Sequence, residues 1–195
     1  MDTLTTHPAR TPSQRIRFLP LPAPALTALL AGDLAGAGAL VGTALDPYFL
    51  TEQARWLWGY RLAQLAERPQ DAPWLVRVAV DRADGAVVGY AGFHGAPDGA
   101  GMVEVGYSVL PAARRRGYAT AILAELLRLA ATEPAVETVR ATVSPDNTGS
   151  LAVVRRFGFA EVGEQWDERD GLEIVFERPA RDDGDDEGEG EDPAE

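Results

Sequence analysis

The residue types best suited to chemistry in this chain are clustered in one segment, residues 106–120, which reads GYSVLPAARRRGYAT. Its first part is typical of a strand end, and the pattern after Gly117 predicts a helix. The first turn of a helix leaves backbone N–H groups unpaired, and these favour an anion. Small residues at Gly117 and Ala119 allow a diphosphate to approach, and three arginines at 114–116 add positive charge. The segment therefore predicts a diphosphate site. The simpler interpretation is a solvated cationic turn in which Gly117 only permits the bend.

The elements around this turn follow from hydrophobic periodicity. Residues 102–110 predict a strand, apolar residues keep to one face of a helix over 116–131, and residues 136–143 predict another strand. Ser144 before Pro145 is typical of a helix start, so the next helix is predicted from there to about Phe157. The turn therefore belongs to a strand–helix–strand unit.

The rest of the chain supplies hairpins and two earlier helices. Further strands are predicted at 15–19, 74–80, 86–94, 159–166 and 172–177. Helices are predicted at 24–32 and at 51–67, the second capped by Thr51, whereas the glycines up to residue 42 indicate a loop. Hairpins beside a strand–helix–strand unit predict an α+β fold with a mixed sheet.

Composition excludes several kinds of chemistry. The 195 residues contain no cysteine and no lysine, so disulfides, thiolate metal sites, a cysteine acyl-enzyme and Schiff bases are excluded. The two histidines, His7 and His94, are too few and too far apart in sequence for a histidine-rich metal centre, and we expect no metal. The chain has neither an apolar run of about 20 residues nor a signal-peptide pattern, so we expect a cytoplasmic protein without a membrane partner.

The charge is concentrated at one end. Residues 181–195 hold nine carboxylates and one arginine, so they carry eight of the twelve net negative charges and leave −4 for the rest. A nucleic-acid-binding protein would show a basic face, so no nucleic acid is expected as a partner. The acidic segment has little to bury, and we expect disorder over residues 180–195 and 1–14, with one domain over 15–179.

Three motifs carry a resemblance to a known family. Arg114-x-x-Gly117-x-Ala119 resembles the Q/R-x-x-G-x-G/A signature of the GNAT superfamily of N-acetyltransferases. Residues 104–111 resemble the fourth strand of that family, and residues 147–159 resemble its N-x-x-S/A helix that leads to a G-F pair. The likeness is greatest to the Rim-type branch, which contains the ribosomal-protein alanine acetyltransferases.

The resemblance implies a fold and a co-substrate. The family sheet is mixed and mostly antiparallel, with about six or seven strands, helices on both faces, and a fourth strand that carries a bulge and splays from the fifth. Acetyl-CoA binds along that open edge as though it were another strand. The cofactor-binding residues implied are the backbone of Val109 and Leu110, then Arg114, Arg115, Arg116, Gly117, Tyr118, Ala119 and Thr120 around the diphosphate, and Asn147 and Ser150 beside the pantetheine arm.

The helix near Asn147 leaves one alternative open. Asn147 also fits an ordinary polar residue of a first helical turn. Gly149 within that helix costs roughly 1 kcal/mol relative to alanine, which a close approach by the cofactor would explain.

The resemblance also implies direct transfer of the acetyl group, with the thioester carbonyl held by the backbone near Val109. Glu104 shares a strand face with Gly106 and Ser108 and is the candidate base, although a cross-strand charge or a rim residue is the competing interpretation. Many family members carry a tyrosine as general acid where this chain has Val154. Either Tyr107, Tyr118, another group or water replaces it, or no dedicated acid is needed.

The acceptor is expected to be an amine-bearing substrate, either a small molecule or a protein N-terminus, which by resemblance meets the first two helices and the last hairpin. Trp56, Trp58 and Tyr60 are interpreted mainly as core, with part lining an acceptor cleft. His94 is interpreted as a structural histidine rather than a cleft residue.

Two alternative functions and a homodimeric state are further hypotheses. An acyl-CoA-binding regulatory module without turnover would account for Val154, whereas a purely structural domain leaves the arginine–glycine turn unexplained. A homodimer is considered because the late strands of the family often mediate dimers.

Overall fold

The protein is built around a seven-stranded mixed sheet. The structure is a computed structural model and describes residues 12–181. The strands are β1 (Ile16–Pro20), β2 (Arg77–Asp81), β3 (Val87–Phe93), β4 (Met102–Val109), β5 (Thr138–Val143), β6 (Ala160–Asp167) and β7 (Gly171–Pro179). They lie in the order β1-β2-β3-β4-β5-β7-β6, and each neighbouring pair is antiparallel except β4 and β5. The predicted α+β class with a mixed, mostly antiparallel sheet is confirmed.

Helices cover both faces of this sheet. Within the described range they are α1 (Pro12–Arg15), α2 (Ala23–Leu30), α3 (Leu34–Val41), α4 (Glu52–Glu67), α5 (Tyr118–Thr132) and α6 (Thr148–Arg156). Helix α6 contacts the face of β4 that carries Tyr107, and the segment before α4 contacts the opposite face through Tyr48 and Ser108. No helix in this range is long and apolar enough to cross a bilayer.

The core is formed where the helices pack on the sheet. The predicted apolar face of α5 is confirmed, since Ile122, Leu123 and Leu126 are completely buried. On the other face Trp58 is buried against Tyr90, with ring centroids 4.9 Å apart, and its Nε1 donates to the carbonyl of Phe49 at 2.7 Å. A buried indole with its N–H satisfied stabilises the packing of α4 on the sheet.

Helix α3 occupies residues for which glycines predicted a loop, and that prediction is wrong. The glycines serve the ends and the packing of the helix. Asp33 Oδ1 accepts from the N–H of Gly36 at 2.8 Å, and Gly42 ends the helix in the left-handed conformation, with φ 82°. A Cβ on Gly38 would lie 2.8 Å from the carbonyl oxygen of Thr43, so a close turn requires glycine there.

Helix α6 begins later than predicted. Asn147, and not Ser144, is its cap, because Asn147 Oδ1 accepts from the N–H of Ser150 at 3.1 Å. The carbonyl of Ser144 instead accepts from the N–H of Asn147 at 2.9 Å. This hydrogen bond closes a turn with Pro145 in its second position. The fixed φ of proline is favourable both at this position of a turn and at the start of a helix, so the sequence pattern fits either structure.

The described range is slightly wider than the predicted domain. Residues 12–15 form the short helix α1, and Ala180 is buried, with its N–H donating to the carbonyl of Glu137 at 2.8 Å. The predicted disorder of the two ends falls on residues 1–11 and 182–195, which lie outside the described residues.

Strands β4 and β5 separate early. Their pairing runs only from Met102–Thr138 to Glu104–Arg140, while β4 continues to Val109. The predicted splay is confirmed. The bulge implied for this strand is not found where β4 pairs with β3, because that register is continuous from Gly89–Val109 to Phe93–Val105. From residue 105 onward β4 therefore has a free edge toward β5.

We expect Gly89→Ala to destabilise the protein by about 1–3 kcal/mol, because a Cβ at this position would collide with the backbone carbonyl of Ser108. The matched control is Gly163→Ala in β6, where an added Cβ meets no atom within 4 Å. Its change should stay within about 0.5 kcal/mol. Urea denaturation of both variants tests this, and equal midpoints would show that β3 does not approach the end of β4 so closely.

Candidate active site

The predicted diphosphate turn has the geometry of an anion site. After a 3-10 turn at Pro111–Ala113, the chain adopts the left-handed conformation at Arg115, φ 57°, and at Gly117, φ 79°, before α5 begins. The backbone N–H groups of residues 115–120 have no hydrogen-bond partner within the described part of the chain. Six successive unpaired amides at the start of a 15-residue helix form a concave site for an anion.

The three arginines of the turn do not act alike. All are exposed, but Arg114 folds back and its Nε donates to the carbonyl of Val109 at 3.2 Å. The guanidinium of Arg116 lies 5.4 Å from the centre of the Tyr118 ring. Arg114 therefore braces the end of β4, and Arg115 and Arg116 remain to place charge around a bound anion.

The turn is fastened to the last residue of α1 and the last residue of β2. Arg15 Nη1 donates to the carbonyl of Arg116 at 2.8 Å, and Arg15 Nε lies 3.4 Å from Asp81 Oδ2. The same carboxylate oxygen accepts from the Tyr118 hydroxyl at 2.9 Å. Burial would raise the pKa of Asp81, but the N–H of Ala83, the Tyr118 hydroxyl and Arg15 together lower it. Asp81 is thus ionised at neutral pH and holds both partners.

The Tyr118 side chain consequently does not reach the solvent side of the turn. It is buried, and its hydroxyl is committed to Asp81. Tyr118 contributes its backbone amide to the site, and its candidacy as the general acid fails for this reason. Sequence reasoning missed Arg15 and Asp81, and no local signal could have revealed them, since 66 residues separate the pair.

A cleft of about 560 Å³ adjoins the row of amides. It is lined by Pro12, Arg15, Asp81, Ala83, Gly117, Thr120, Ala121 and Arg156. Arg156, from outside the turn, adds positive charge to this cleft, whereas the charge of Arg15 is balanced by Asp81. A ligand with more than one phosphate group would meet favourable charge along this cleft.

The backbone of β4 offers a free N–H at Val109, whereas neither backbone group of Leu110 is free. Leu110 N–H donates to the Val88 carbonyl at 2.9 Å, and its carbonyl accepts from Ala113 N–H at 2.8 Å. Strand alternation directs the peptide groups of Tyr107 and Val109 to the opposite edge, which β5 leaves unpaired. The expectation for a Leu110 backbone contact is therefore not supported, because both groups are already used.

Asn147 and Ser150 lie across the splay from β4. Asn147 is exposed and uses Oδ1 as the cap of α6, which is the simpler of its two interpretations. Ser150 Oγ accepts from the Tyr107 hydroxyl at 3.4 Å. Burial raises the pKa of Tyr107, and the hydrogen bond to Ser150 offsets only part of this. Tyr107 therefore stays protonated over a wide pH range, whereas the buried Val154 has no proton to donate.

Glu104 lies where β4 and β5 part. Its Oε1 accepts from Thr142 Oγ1 at 2.7 Å and lies 3.3 Å from His94 Nδ1. Burial would raise the pKa of Glu104, but the contacts with His94 and Thr142 and the charge of Arg140 lower it. The carboxylate is therefore ionised at neutral pH, on the face of the sheet opposite Tyr107.

The interpretation of the α4 aromatic residues as mainly core is wrong for two of the three, because only Trp58 packs inside. Trp58 is fully buried, whereas Trp56 and Tyr60 are 51% and 54% exposed and stack with ring centroids 5.5 Å apart. The guanidinium of Arg169, in the turn between β6 and β7, lies 4.0 Å from the Trp56 ring centre. Helix α4 and the last hairpin thus meet at an exposed aromatic surface.

The family follows from comparison with known proteins. A sequence model of the acetyltransferase (GNAT) domain matches residues 24–160, which is well over half of the chain. The chain therefore belongs to the GNAT acetyltransferase family. The match includes β4, the diphosphate turn, α5 and α6.

Two curated relatives match parts of the chain. An uncharacterized N-acetyltransferase of Bacillus subtilis, YjdG, is 34% identical over 73 residues, which are 37% of this chain and 44% of that protein. The phosphinothricin N-acetyltransferase of Streptomyces coelicolor is 30% identical over 121 residues, which are 60% of this chain and 66% of that protein. The matched regions thus span less than half of the first relative and just under two thirds of the second.

Solved structures share the fold. A chimera of the spermidine N-acetyltransferase SpeG from Vibrio cholerae and hSSAT has a TM-score of 0.61 at 13% identity, covering 85% of this chain and 96% of that one. The ribosomal α-N-protein acetyltransferase RimL in complex with coenzyme A has a TM-score of 0.58 at 17% identity, covering 87% of this chain and 96% of that one. These likenesses establish the architecture shared with both proteins.

We expect Gly117→Glu to abolish the thermal stabilisation of this protein by acetyl-CoA, because a carboxylate would enter the row of amides and repel a diphosphate. Gly85→Glu is the matched control. It adds the same charge at another glycine with positive φ, 73°, in the turn between β2 and β3. If both variants respond to acetyl-CoA like the unchanged protein, the anion site lies elsewhere.

Proposed function

We propose that this chain transfers an acetyl group from acetyl-CoA directly to a primary amine. The observation that carries the proposal is the row of unpaired amides at residues 115–120 next to the free edge of β4. Coenzyme A contains both a diphosphate and an arm with two amides, and these two chemical features fit the two parts of the site. The activity is proposed to be cytoplasmic.

The diphosphate would bind the amides of residues 115–120, with Arg115 and Arg116 adding charge. Arg15 supports this arrangement from behind, because it holds the Arg116 carbonyl and so directs the neighbouring amides outward. The amides are fixed before the ligand arrives, which lowers the entropy lost on binding.

The pantetheine arm would lie along the free edge of β4. The available backbone groups there are those of Tyr107 and Val109, with the Val109 carbonyl shared with Arg114. A thioester carbonyl near the Val109 N–H would receive a hydrogen bond that strengthens as negative charge develops on the oxygen. Asn147 and Ser150 face this edge from α6 and would contact the arm from the other side.

The transfer requires a neutral amine, because an ammonium ion has no electron pair for attack. Glu104 is the candidate base, since it lies at the point where the splay joins the two faces of the sheet and is ionised at neutral pH. A carboxylate here also favours a cationic acceptor over a neutral one.

Tyr107 is proposed to protonate the departing thiolate. Its hydroxyl is held beside Ser150, on the cofactor side of β4, and its raised pKa keeps the proton available. Tyr107 thus offers the phenol that Val154 lacks. This removes the main support for the alternative of an acyl-CoA-binding module without turnover.

The acceptor class is proposed as a primary amine on either a protein N-terminus or a small molecule. The shared fold with RimL supports the first, in line with the Rim-type branch, and the shared fold with SpeG supports the second. Trp56 and Tyr60 would form one wall for either acceptor. The exposed residues 160–166 of edge strand β6 support a homodimer formed there, which sedimentation would test.

Glu104→Gln should lower kcat for acetyl transfer by roughly 10²-fold or more, with little change in KM for acetyl-CoA. The amide still reaches Thr142 but cannot accept a proton. Thiol release across a panel of amines, measured from mildly acidic to mildly alkaline pH, tests this. Glu161→Gln, an exposed carboxylate of β6, should behave like the unchanged protein. Full turnover of Glu104→Gln at every pH would exclude Glu104 from proton transfer.

Tyr107→Phe should lower kcat about tenfold or more while acetyl-CoA still stabilises the protein, because only the hydroxyl is lost. The control is Tyr90→Phe, which removes a hydroxyl from a buried ring of β3 on the other face of the sheet. Steady-state rates of both variants, measured with saturating amine, test this prediction. A Tyr107→Phe rate equal to that of the control would mean that the thiolate leaves without a proton from Tyr107.

A further inference from the structure

His94 follows directly after β3 and faces the candidate base. Its backbone N–H donates to the Glu104 carbonyl at 2.8 Å, and its Nδ1 lies 3.3 Å from Glu104 Oε1. The His94 side chain is 46% exposed, compared with 19% for the side chain of Glu104. The imidazole is therefore the more accessible member of the pair.

The backbone of His94 is held by buried polar groups of α4. Its carbonyl accepts from Arg61 Nη1 and from Gln64 Nε2, both at 2.9 Å. Arg61 and Gln64 are buried, and they also bond to each other at 2.7 Å. This position is more rigid than the end of a strand normally is, because two buried donors converge on one carbonyl.

The imidazole is also directed by the strand beside it. A Cβ on Gly106 would lie 2.8 Å from His94 Nε2, so the ring occupies the space that any other residue at 106 would fill. Gly106 belongs to the part of β4 that β5 no longer pairs. Nε2 is thereby placed further along β4 than Glu104, in the direction of Val109.

The contact at Nδ1 determines which ring nitrogen carries the proton. An ionised carboxylate only accepts hydrogen bonds, so Nδ1 carries a proton, and in the neutral form of the ring Nε2 therefore keeps the lone pair. Within the described residues Nε2 has no hydrogen-bond partner. A neutral imidazole with a free lone pair at the acceptor side of the splay is suited to take a proton.

We propose that His94 Nε2 is the atom that takes the proton from the acceptor amine, and that Glu104 orients the ring and balances its charge. This inference rests on the proposed acetyl transfer. The ammonium loses one proton to Nε2, and the electron pair left on nitrogen forms the new N–C bond. The C–S bond breaks with its electron pair on sulfur. Tyr107 protonates the thiolate, the second proton lost by the nitrogen restores the Tyr107 phenol, and the proton on His94 passes to solvent.

The surrounding charges fit this division of roles. Glu104 has a lowered pKa, which makes it a weak proton acceptor but a lasting negative charge beside an imidazolium. The cations that face the pair are Arg61 on α4 and Arg140 on β5. Arg140 is itself paired with Glu177 on β7 at 2.6 Å, so part of its effect on the imidazolium is cancelled.

The deciding experiment compares His94→Asn with His94→Gln in acetyl transfer. Asparagine places a donor near the position of Nδ1 and so still supports Glu104, but it cannot accept a proton. We expect both variants to lose roughly 10²-fold in kcat near neutral pH, with KM for acetyl-CoA unchanged. The loss should shrink as the pH rises, because more of the amine then arrives neutral. Near-normal turnover by His94→Asn would overturn the proposal and leave His94 as a positioning residue.

Nitrogen NMR provides a readout that does not depend on activity. The chain has only two histidines, and His94→Gln assigns their signals. At a pH where both rings are neutral, His94 should show a protonated Nδ1 and an unprotonated Nε2, and Glu104→Gln should weaken that preference. A protonated Nε2 in the unchanged protein would contradict the proposal.

The proposed acetyl transfer and the proposed role of His94 can be excluded separately. If the unchanged protein releases no thiol with any amine, the proposed function is wrong and the role of His94 is excluded with it. If the unchanged protein is active and His94→Gln is equally active, only the role of His94 is excluded.

Discussion

Strands β4 and β5 run parallel and pair at three positions before they separate, and the candidate site depends on this early separation. Full pairing would consume the peptide groups of Tyr107 and Val109 and close the sheet between Glu104 and Tyr107. Because pairing ends at Glu104, the strand keeps one bonded edge, toward β3, and one free edge. The same separation places a carboxylate and a phenol on opposite faces of one strand, with an opening beside it that connects the two.

A free strand edge and an unpaired helix start are unfavourable unless other contacts hold them. Arg15 and Asp81 provide those contacts at the turn, since they fix the Arg116 carbonyl and the Tyr118 hydroxyl without using any of the outward amides. Arg114 does the same for the last carbonyl of β4. The polar groups that remain free are therefore those that face the cleft, which is how a preorganised anion site differs from a loosely ordered loop.

The amino-acid sequence predicted what depends on local spacing. The strand, turn and helix around Gly117, the Thr51 cap and the apolar face of α5 are periodic or nearest-neighbour features, and all were confirmed. The failures have two physical origins, which are glycine and proline turns that serve a helix end as well as a loop, and contact between distant segments. Helix α3 forms although its sequence is glycine-rich, because Gly38 allows close packing on residues 43–45. The burial of the Tyr118 hydroxyl depends on its hydrogen bond to Asp81, and the position of His94 depends on the register between β3 and β4.

The electrostatic environment lowers the pKa of Glu104 and raises the pKa of Tyr107. Burial acts on both groups, and for Glu104 it is overcome by His94, Thr142 and Arg140, whereas for Tyr107 a single neutral hydroxyl offsets only part of it. The carboxylate is therefore kept ionised and the phenol protonated over the same neutral range. Direct transfer to an amine uses that combination, because the ionised Glu104 holds the His94 ring that is proposed to take one proton and the Tyr107 phenol is proposed to give one. A strand whose two faces differ in polarity supplies it, since the Glu104 side carries charged partners and the Tyr107 side carries Ser150 and the buried apolar face of α6.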